Sequence, residues 1–239
     1  MKPYYADESV TLWHGDALEV LPSLPAASAS AFILDPPYSM VPNAIRGRDD
    51  GAAGTSGSPM RLLSESAGHA RRVLRPGGIA ALLCDWRRVP DVSYLVTLTG
   101  LRLTTCVAWT RTTVGTGGLF RTAWDPILIA SNGQPDAIDR AAIPNVITVN
   151  PPSRRAHPYE KPPALWTHIL QRIPSGLVID PFAGSGASAV AALATGNTWL
   201  GIEIDESYCE AIANRLSAGV LDFDGAATSQ PNSIEEKSA

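Results

Sequence analysis

Short apolar runs recur along the chain and alternate with segments in which apolar positions repeat every three to four residues. The first pattern predicts buried strands and the second predicts amphipathic helices. Strands are predicted over residues 10–13, 31–34, 79–84, 103–110, 124–130, 177–180 and 198–203. Helices are predicted over residues 17–24, 61–74, 92–100, 163–173, 187–195 and 205–218. Residues 75–78 are predicted as a turn, and residues 132–155 carry no clear pattern of either kind.

The alternation of strands and helices predicts the fold class. It is typical of a Rossmann-like α/β fold, in which a mostly parallel twisted sheet has helices on both faces. Strands 103–110 and 124–130 are joined by a glycine-rich link without a long helix, which predicts an antiparallel pair. A chain of 239 residues with 45% apolar residues can fill one core. We therefore expect one catalytic domain over residues 1–221 and a disordered tail over residues 222–239.

Composition excludes several classes of protein. No apolar run approaches the ~18 residues of a membrane span, and the first residues lack a secretory apolar stretch, so a soluble cytoplasmic protein is expected. The net charge of -4 argues against a protein that coats nucleic acid through bulk attraction. Cys84, Cys106 and Cys209 have no spacing typical of zinc ligands or of a disulfide framework, so no metal site is expected.

A glycine turn follows the strand at residues 177–180 and leads into a helix, which is typical of a nucleotide-binding loop. Glu203 ends the next strand, 23 residues after Asp180 (203 minus 180). This is near the offset of about 20 residues at which an acidic side chain accepts hydrogen bonds from the ribose hydroxyls of a nucleotide. The loop has no lysine for a triphosphate, and Asp180 suits a ligand with an ammonium group. An ordinary tight turn would explain the glycines alone. The predicted cofactor-binding residues here are Asp180, Pro181, Phe182, Ala183, Gly184, Ser185, Gly186 and Glu203.

Residues 180–186 and 201–203 together resemble the S-adenosylmethionine site of amino-group DNA methyltransferases. The segment His157-Pro158-Tyr159-Glu160-Lys161-Pro162 is similar to the one that precedes this loop in the family's beta group. The resemblance covers roughly residues 10–216. It implies that S-adenosylmethionine is the cofactor and that Lys161 and Pro162 lie against its methionine end. It also implies that Asp16 lies near the cofactor adenine, although Asp16 could instead cap a helix.

The tetrapeptide Asp35-Pro36-Pro37-Tyr38 comes directly after a buried strand, and its two prolines prevent a strand or helix from continuing. In the same family this motif is catalytic, and Asp35 is also predicted to contact the cofactor. An exocyclic amino nitrogen is a poor nucleophile because its lone pair is delocalised into the ring. Asp35 can accept one amino hydrogen and the Pro36 carbonyl the other, which aims the lone pair at the methyl group. Tyr38 offers a face on which the extruded base can stack, unless it is a core residue.

The catalytic motif precedes the cofactor loop in the chain, which is the beta-group order. The resemblance therefore implies a circularly permuted methyltransferase sheet, with the strand at residues 198–203 next to the one at residues 10–13. Aspartate in the first position of the tetrapeptide resembles adenine N6 enzymes more than cytosine N4 enzymes. The expected function is site-specific methylation of adenine N6, of the kind found in restriction-modification systems. The alternatives are cytosine N4 methylation, amino methylation of RNA or of a protein glutamine, and a non-catalytic DNA-binding relic.

Few residues of the chain are available for DNA recognition. Between the two motifs, only short inserts at about residues 39–72 and 133–156 are free for this role. Arginines neutralise phosphates and make paired contacts to bases, although arginines in loops can also be merely solvated. Inserts this small predict a short target, relaxed specificity, or a homodimer whose subunits share the contacts on double-stranded DNA. The predicted DNA-binding residues are Arg46, Arg48, Arg154 and Arg155.

Overall fold

The computed structural model describes residues 2–36, 59–115, 119–137, 143–152 and 160–217. The strands in these ranges are β1 (Tyr5–Ala6), β2 (Val10–His14), β3 (Ala29–Leu34), β4 (Leu74–Leu83), β5 (Arg102–Thr110), β6 (Trp124–Ser131), β7 (Val146–Thr148), β8 (Leu177–Asp180) and β9 (Thr198–Glu203). The α-helices are α1 (Ala17–Val20), α2 (Pro59–Val73), α3 (Val89–Leu98), α4 (Pro163–Leu170), α5 (Ala187–Ala194) and α6 (Glu206–Ser217). Short 3-10 helices form at Leu21–Ser23 and Trp86–Arg88.

All of these strands belong to one sheet, in the order β1-β2-β9-β8-β3-β4-β6-β5-β7. The five central strands from β2 to β4 run parallel, and β6 runs antiparallel to both of its neighbours. The predicted α/β fold and its antiparallel pair are therefore confirmed. The predicted permutation is also present, because β2 pairs in parallel with β9 although the two strands are at opposite ends of the chain.

Apolar side chains fill both faces of the sheet. Successive residues of a strand point to opposite faces. In β3, Ala31 and Ile33 join the core cluster that contains residues of α4, α5 and α6, whereas Phe32 and Leu34 join the cluster that contains residues of α1, α2 and α3. Every residue of β3 is buried, which explains why this strand reads as an unbroken apolar run in the sequence.

Three features of the fold differ from the predictions. β1 and β7 were not predicted, since they are two and three residues long and too short to show a periodic pattern. The predicted turn at residues 75–78 lies inside β4 as a bulge, where the register against β3 shifts and Gly77 has a φ of 83°. The helix predicted over residues 17–24 is α1 followed by a 3-10 helix that contains Pro22, whose ring removes a backbone donor.

In the described part of the chain, no helix combines the length and the apolar character that a membrane crossing requires. The same residues contain no group of three or more His, Cys, Asp or Glu side chains arranged to hold a metal ion. The predicted tail at residues 222–239 lies outside the described residues, so the proposed domain limits stay a prediction.

Candidate active site

The topology of the sheet brings the predicted site together at one edge. β3 connects to β4 through α2 on one face, and β8 connects to β9 through α5 on the other face. The strand order thus reverses between the neighbours β3 and β8, and such a reversal leaves a crevice at the carboxyl ends of the strands. Asp180 ends β8, and Asp35 directly follows β3. Residues 145 positions apart in the chain (180 minus 35) therefore meet at this crevice.

The carboxyl group of Asp180 is buried and held by two donors. It accepts hydrogen bonds from the backbone N–H of Phe182, at 2.9 Å, and from the hydroxyl of Ser188. Trp199 Nε1 donates to the same Ser188 oxygen at 3.0 Å. Burial raises the pKa of Asp180 to about 7, the negative charges of Asp35 and Glu203 act in the same direction, and the two hydrogen bonds oppose the rise. Asp180 therefore changes its charge near neutral pH.

Glu203 fixes the glycine loop from the neighbouring strand. Its carboxylate accepts hydrogen bonds from the backbone N–H of Gly184, at 2.7 Å, and from that of Asp205, at 2.9 Å. Burial raises its pKa, and the hydrogen bonds from backbone N–H groups oppose that rise. Gly184 and Gly186 have φ values of 53° and 76°, a region that glycine enters without steric cost. The loop is therefore held in its turn by the acid that was predicted to bind ribose.

Lys161 and Asp35 form an ion pair within the site. Lys161 Nζ lies 3.0 Å from Asp35 Oδ1 and 2.8 Å from Oδ2. The two side chains are only 13% and 16% exposed, so solvent screens this pair weakly. The sequence predicted Lys161 at the cofactor, and Asp35 both at the acceptor and at the cofactor. In the structure these two side chains are in direct contact.

Arg215 on α6 is a site residue that the sequence analysis missed. Its guanidinium lies 3.7 Å from Glu160 Oε1 and donates to the carbonyl oxygen of Ser185 at 3.3 Å. It therefore links the segment before α4 to the cofactor loop. Ser188 and Trp199, which support Asp180, were missed as well. None of these three residues belongs to a recognisable motif, and only the fold places them at the site.

Asp16 lies at the same edge of the sheet, just after β2, and caps α1. Its carboxylate accepts the backbone N–H of Leu18 at 2.8 Å, which is the capping role considered as the alternative. β2 ends beside Glu203, since His14 is its partner in the register. Capping leaves lone pairs on the carboxylate. Its predicted role near the cofactor adenine stays a prediction. Pro162 is buried at the N-cap of α4.

Several predicted site residues lie outside the described part of the chain, and their roles stay predictions. They are Pro37, Tyr38, Arg46, Arg48, Arg154 and Arg155.

The described site residues have the chemistry that S-adenosylmethionine requires. By their chemistry, Asp180 can accept from an ammonium group, Glu203 can accept from ribose hydroxyls, and Lys161 can donate to a carboxylate; these roles stay predictions. Asp180 and Glu203 end adjacent parallel strands, and the glycine loop lies between them in sequence. An adenosine linked to an amino acid is a group that would fit these donors and acceptors.

Comparison with known families shows which proteins this chain is similar to. Residues 143–215, which include Lys161, the glycine loop and Glu203, match the family model for N6/N4 methyltransferases, described as DNA methylase. Over these residues the chain is similar to the amino-group DNA methyltransferases. This match also confirms the prediction of S-adenosylmethionine as the cofactor.

Curated relatives match this chain over most of its length. The candidate methylase YubD of Escherichia coli (strain K12) is 27% identical over 206 residues, which cover 85% of this chain and 88% of YubD. The DNA adenine methyltransferase YhdJ of Escherichia coli (strain K12) is 24% identical over 253 residues, with 89% and 84% covered.

A solved structure has the same fold. The PvuII DNA methyltransferase (cytosine-N4-specific) has a TM-score of 0.71 and 19% identity, with 90% of this chain and 88% of that chain covered.

Proposed function

We propose that the chain transfers a methyl group from S-adenosylmethionine to the N6 amino group of adenine, in a base extruded from double-stranded DNA. The observation that carries this proposal is the position of Asp35. Its carboxylate follows β3 at the crevice where the cofactor loop begins on the neighbouring strand β8. A single crevice thus holds an acceptor for amino hydrogens and the predicted binding site of the methyl donor.

The chain's own groups position the amino nitrogen. Asp35 accepts one hydrogen of the planar amino group and the Pro36 carbonyl accepts the other, which directs the nitrogen lone pair out of the ring plane. S-adenosylmethionine, when bound, supplies a methyl group on a positively charged sulfur. Methyl transfer would join this nitrogen to the methyl carbon, leave the electron pair of the broken carbon–sulfur bond on the neutral thioether S-adenosylhomocysteine, and release one amino proton to solvent. Tyr38 keeps its predicted role of stacking on the ring of the extruded base.

The carboxyl edge of the sheet also presents groups that suit DNA. β5 ends and β6 begins at this edge, so the connection between them leaves from the same side as Asp35. Within it, Phe120 is 84% exposed and Arg121 is exposed, and Trp86 after β4 is 52% exposed. Exposed aromatic rings stack on bases and arginines neutralise phosphates. This surface supports DNA as the substrate.

Adenine is favoured over cytosine because the tetrapeptide begins with aspartate. The relative YhdJ, which is named a DNA adenine methyltransferase, supports this preference. Methylation of cytosine N4 stays the alternative, because a structural neighbour is named as cytosine-N4-specific. A homodimer and a cytoplasmic location stay predictions.

Product identification tests the proposal. The purified chain is incubated with S-adenosylmethionine labelled in the methyl group and, separately, with double-stranded DNA, RNA and a protein mixture. The products are digested and identified by mass spectrometry. We expect label in N6-methyldeoxyadenosine only. Label in N4-methyldeoxycytidine establishes the alternative base, and label in RNA or protein, or in no acceptor, overturns the proposal.

A further inference from the structure

The β5–β6 connection, residues 111–123, exposes large apolar side chains next to one another. Leu119 is 92% exposed and Phe120 is 84% exposed, the two highest values among the large apolar residues of the described chain. Val114, on the opposite arm of the connection, is exposed as well. Single exposed apolar residues are common on protein surfaces, whereas contiguous ones indicate a binding surface. The connection therefore has the character of a contact element.

The same connection is basic within an acidic protein. Its sequence contains two arginines and no aspartate or glutamate, whereas the whole chain has a net charge of -4. Arg121 is exposed and directly follows Phe120. A local positive charge attracts a polyanion, and apolar wedges enter a DNA duplex between base pairs. The occupant that this combination favours is double-stranded DNA.

The root of the connection is firmly held. The backbone N–H of Arg111 donates to the Ala123 carbonyl at 2.8 Å. Farther along the two arms, the N–H of Gly115 donates to the Thr122 carbonyl at 2.7 Å. The guanidinium of Arg111 forms an ion pair with Asp125, which is partly buried. These contacts fix the arms next to each other up to the residues that precede the exposed apolar pair in space.

A second brace comes from a segment to which the sequence analysis assigned recognition, the insert at residues 133–156. Asn150 Oδ1 accepts hydrogen bonds from the backbone N–H and from the hydroxyl of Thr112, each at 2.9 Å. In addition, Trp109 Nε1 donates to the Val149 carbonyl at 2.8 Å. The part of the predicted insert that lies beside β5 therefore supports the β5–β6 connection.

The connection lies beside the crevice that holds Asp35. β5 ends and β6 begins at the carboxyl edge of the sheet, where Asp35 follows β3. Only β4 separates β6 from β3, so the root on β6 is two strand spacings, about 10 Å, from the end of β3. That distance is shorter than the width of a major groove, about 12 Å. A duplex that delivers a base to Asp35 therefore passes within reach of the connection.

We propose that the β5–β6 connection is a DNA-contact element, in which Phe120 enters the duplex between base pairs near the target base and Arg121 binds an adjacent phosphate. Insertion of the ring unstacks a base step, which eases extrusion of the neighbouring base. The proposal rests on the proposed function only in taking double-stranded DNA as the substrate. It places DNA contact outside both of the inserts that the sequence predicted.

Fluorescence anisotropy over a series of salt concentrations tests both contacts without any measurement of activity. The probe is a labelled duplex that carries the sequence methylated by wild type, or a random-sequence duplex if no methylation is found, with S-adenosylhomocysteine present. Arg121→Gln should weaken binding about three- to tenfold and lower the slope of log affinity against log salt by about 0.9, the value of one phosphate contact. Phe120→Ala should weaken binding at least about fivefold with an unchanged slope, since stacking is not ionic.

Matched controls lie at the opposite edge of the sheet. Arg102→Gln makes the same charge change at the start of β5, about 27 Å from the end of that nine-residue strand. Leu98→Ala removes an exposed apolar side chain at the end of α3. Neither should change the affinity by more than about twofold, because charges this far apart are screened. Phe120→Leu should keep most of the affinity, because leucine also serves as a wedge.

The contact element is overturned if Arg121→Gln has no larger effect than Arg102→Gln, or if Phe120→Ala has no larger effect than Leu98→Ala. A dimer in sedimentation that Phe120→Ala dissociates without loss of DNA affinity would identify a second copy as the occupant, and it also overturns the proposal. Thermal melts establish that each variant is folded. A cytosine product refutes the proposed function only, whereas methylated adenine with unchanged affinities in both variants refutes the contact element only.

Discussion

The indole N–H of Trp199 and the carboxyl group of Asp180 are joined through one hydroxyl, that of Ser188. Trp199 Nε1 donates to Ser188 Oγ at 3.0 Å, and Ser188 donates to Asp180. The three groups are almost fully buried. This arrangement fixes the carboxyl group at the end of β8, and the titration of that group leads to the first two predictions.

Cofactor binding is expected to depend on pH through Asp180. Its pKa is raised to about 7, so the carboxyl group is protonated below that pH and ionised above it. An ammonium group binds the ionised form. The affinity for S-adenosylhomocysteine should therefore rise as pH increases through about 7, in calorimetric titrations from acid to alkaline pH. In Asp180→Asn the affinity should be lower, and a rise of wild-type size in that variant would exclude Asp180 as its source.

The same group also affects stability. The folded-state pKa lies above the unfolded value, so the folded state binds more protons between about pH 4 and 7. The contribution of Asp180 to the free energy of unfolding should decrease as pH rises through that window and then stay constant. Asp180→Asn removes this contribution. The difference between the melting curves of wild type and variant, followed against pH, measures it.

Removal of the Ser188 hydroxyl should change the environment of both of its hydrogen-bond partners, Asp180 and Trp199. Ser188→Ala deletes a hydrogen bond that lowers the pKa of Asp180. The pH midpoint of the affinity for S-adenosylhomocysteine should therefore move to higher pH. It also leaves Trp199 Nε1 buried without its acceptor, which should lower the free energy of unfolding by about 1–3 kcal/mol. Ser217→Ala, on the exposed side of α6, serves as the control. An unchanged pH midpoint in Ser188→Ala contradicts this account.

Gly201 provides the space for the Trp199 ring. A Cβ at Gly201 would lie 1.8 Å from Trp199 Cη2, and the buried ring has little room to move. Gly201→Ala should therefore lower the free energy of unfolding by at least about 1–3 kcal/mol, as other overpacked positions do. Gly68→Ala is the matched control, because a Cβ there meets nothing within 4 Å. In helix α2 this change should raise stability by up to about 1 kcal/mol in chemical denaturation.

Substitution of Arg215 should lower the affinity for the cofactor more than substitution of an arginine on an exposed helix face. Arg215→Met breaks the link between Glu160 and the Ser185 carbonyl, so the loop and the segment before α4 lose a common anchor. We expect the affinity for S-adenosylhomocysteine to decrease about five- to tenfold. Arg61→Met removes the exposed pair with Glu65 and should leave that affinity unchanged. Equal effects of the two variants would show that Arg215 has no such role.

The sequence predicted the central strands well because burial on both faces produces apolar runs, as in residues 177–180 and β3. It missed β7, a three-residue strand that lies next to β5 at the end of the described sheet. It also placed Lys161 and Asp35 at one site through their motifs. Their direct contact could not be predicted, because it joins side chains 126 residues apart whose approach depends on side-chain packing. The links made by Ser188 and Arg215 are likewise products of the tertiary structure.

The most direct test of the central claim is nucleoside mass spectrometry of double-stranded DNA treated with wild type, Asp35→Asn and Asp85→Asn in the presence of S-adenosylmethionine. Asp85 follows β4 at the same edge but caps a 3-10 helix, a role that asparagine also fills. The account predicts N6-methyldeoxyadenosine with wild type and Asp85→Asn, and at least about 100-fold less with Asp35→Asn, because the amino group is no longer aimed. Near wild-type methylation by Asp35→Asn, or no methylated adenine with wild type, would contradict it.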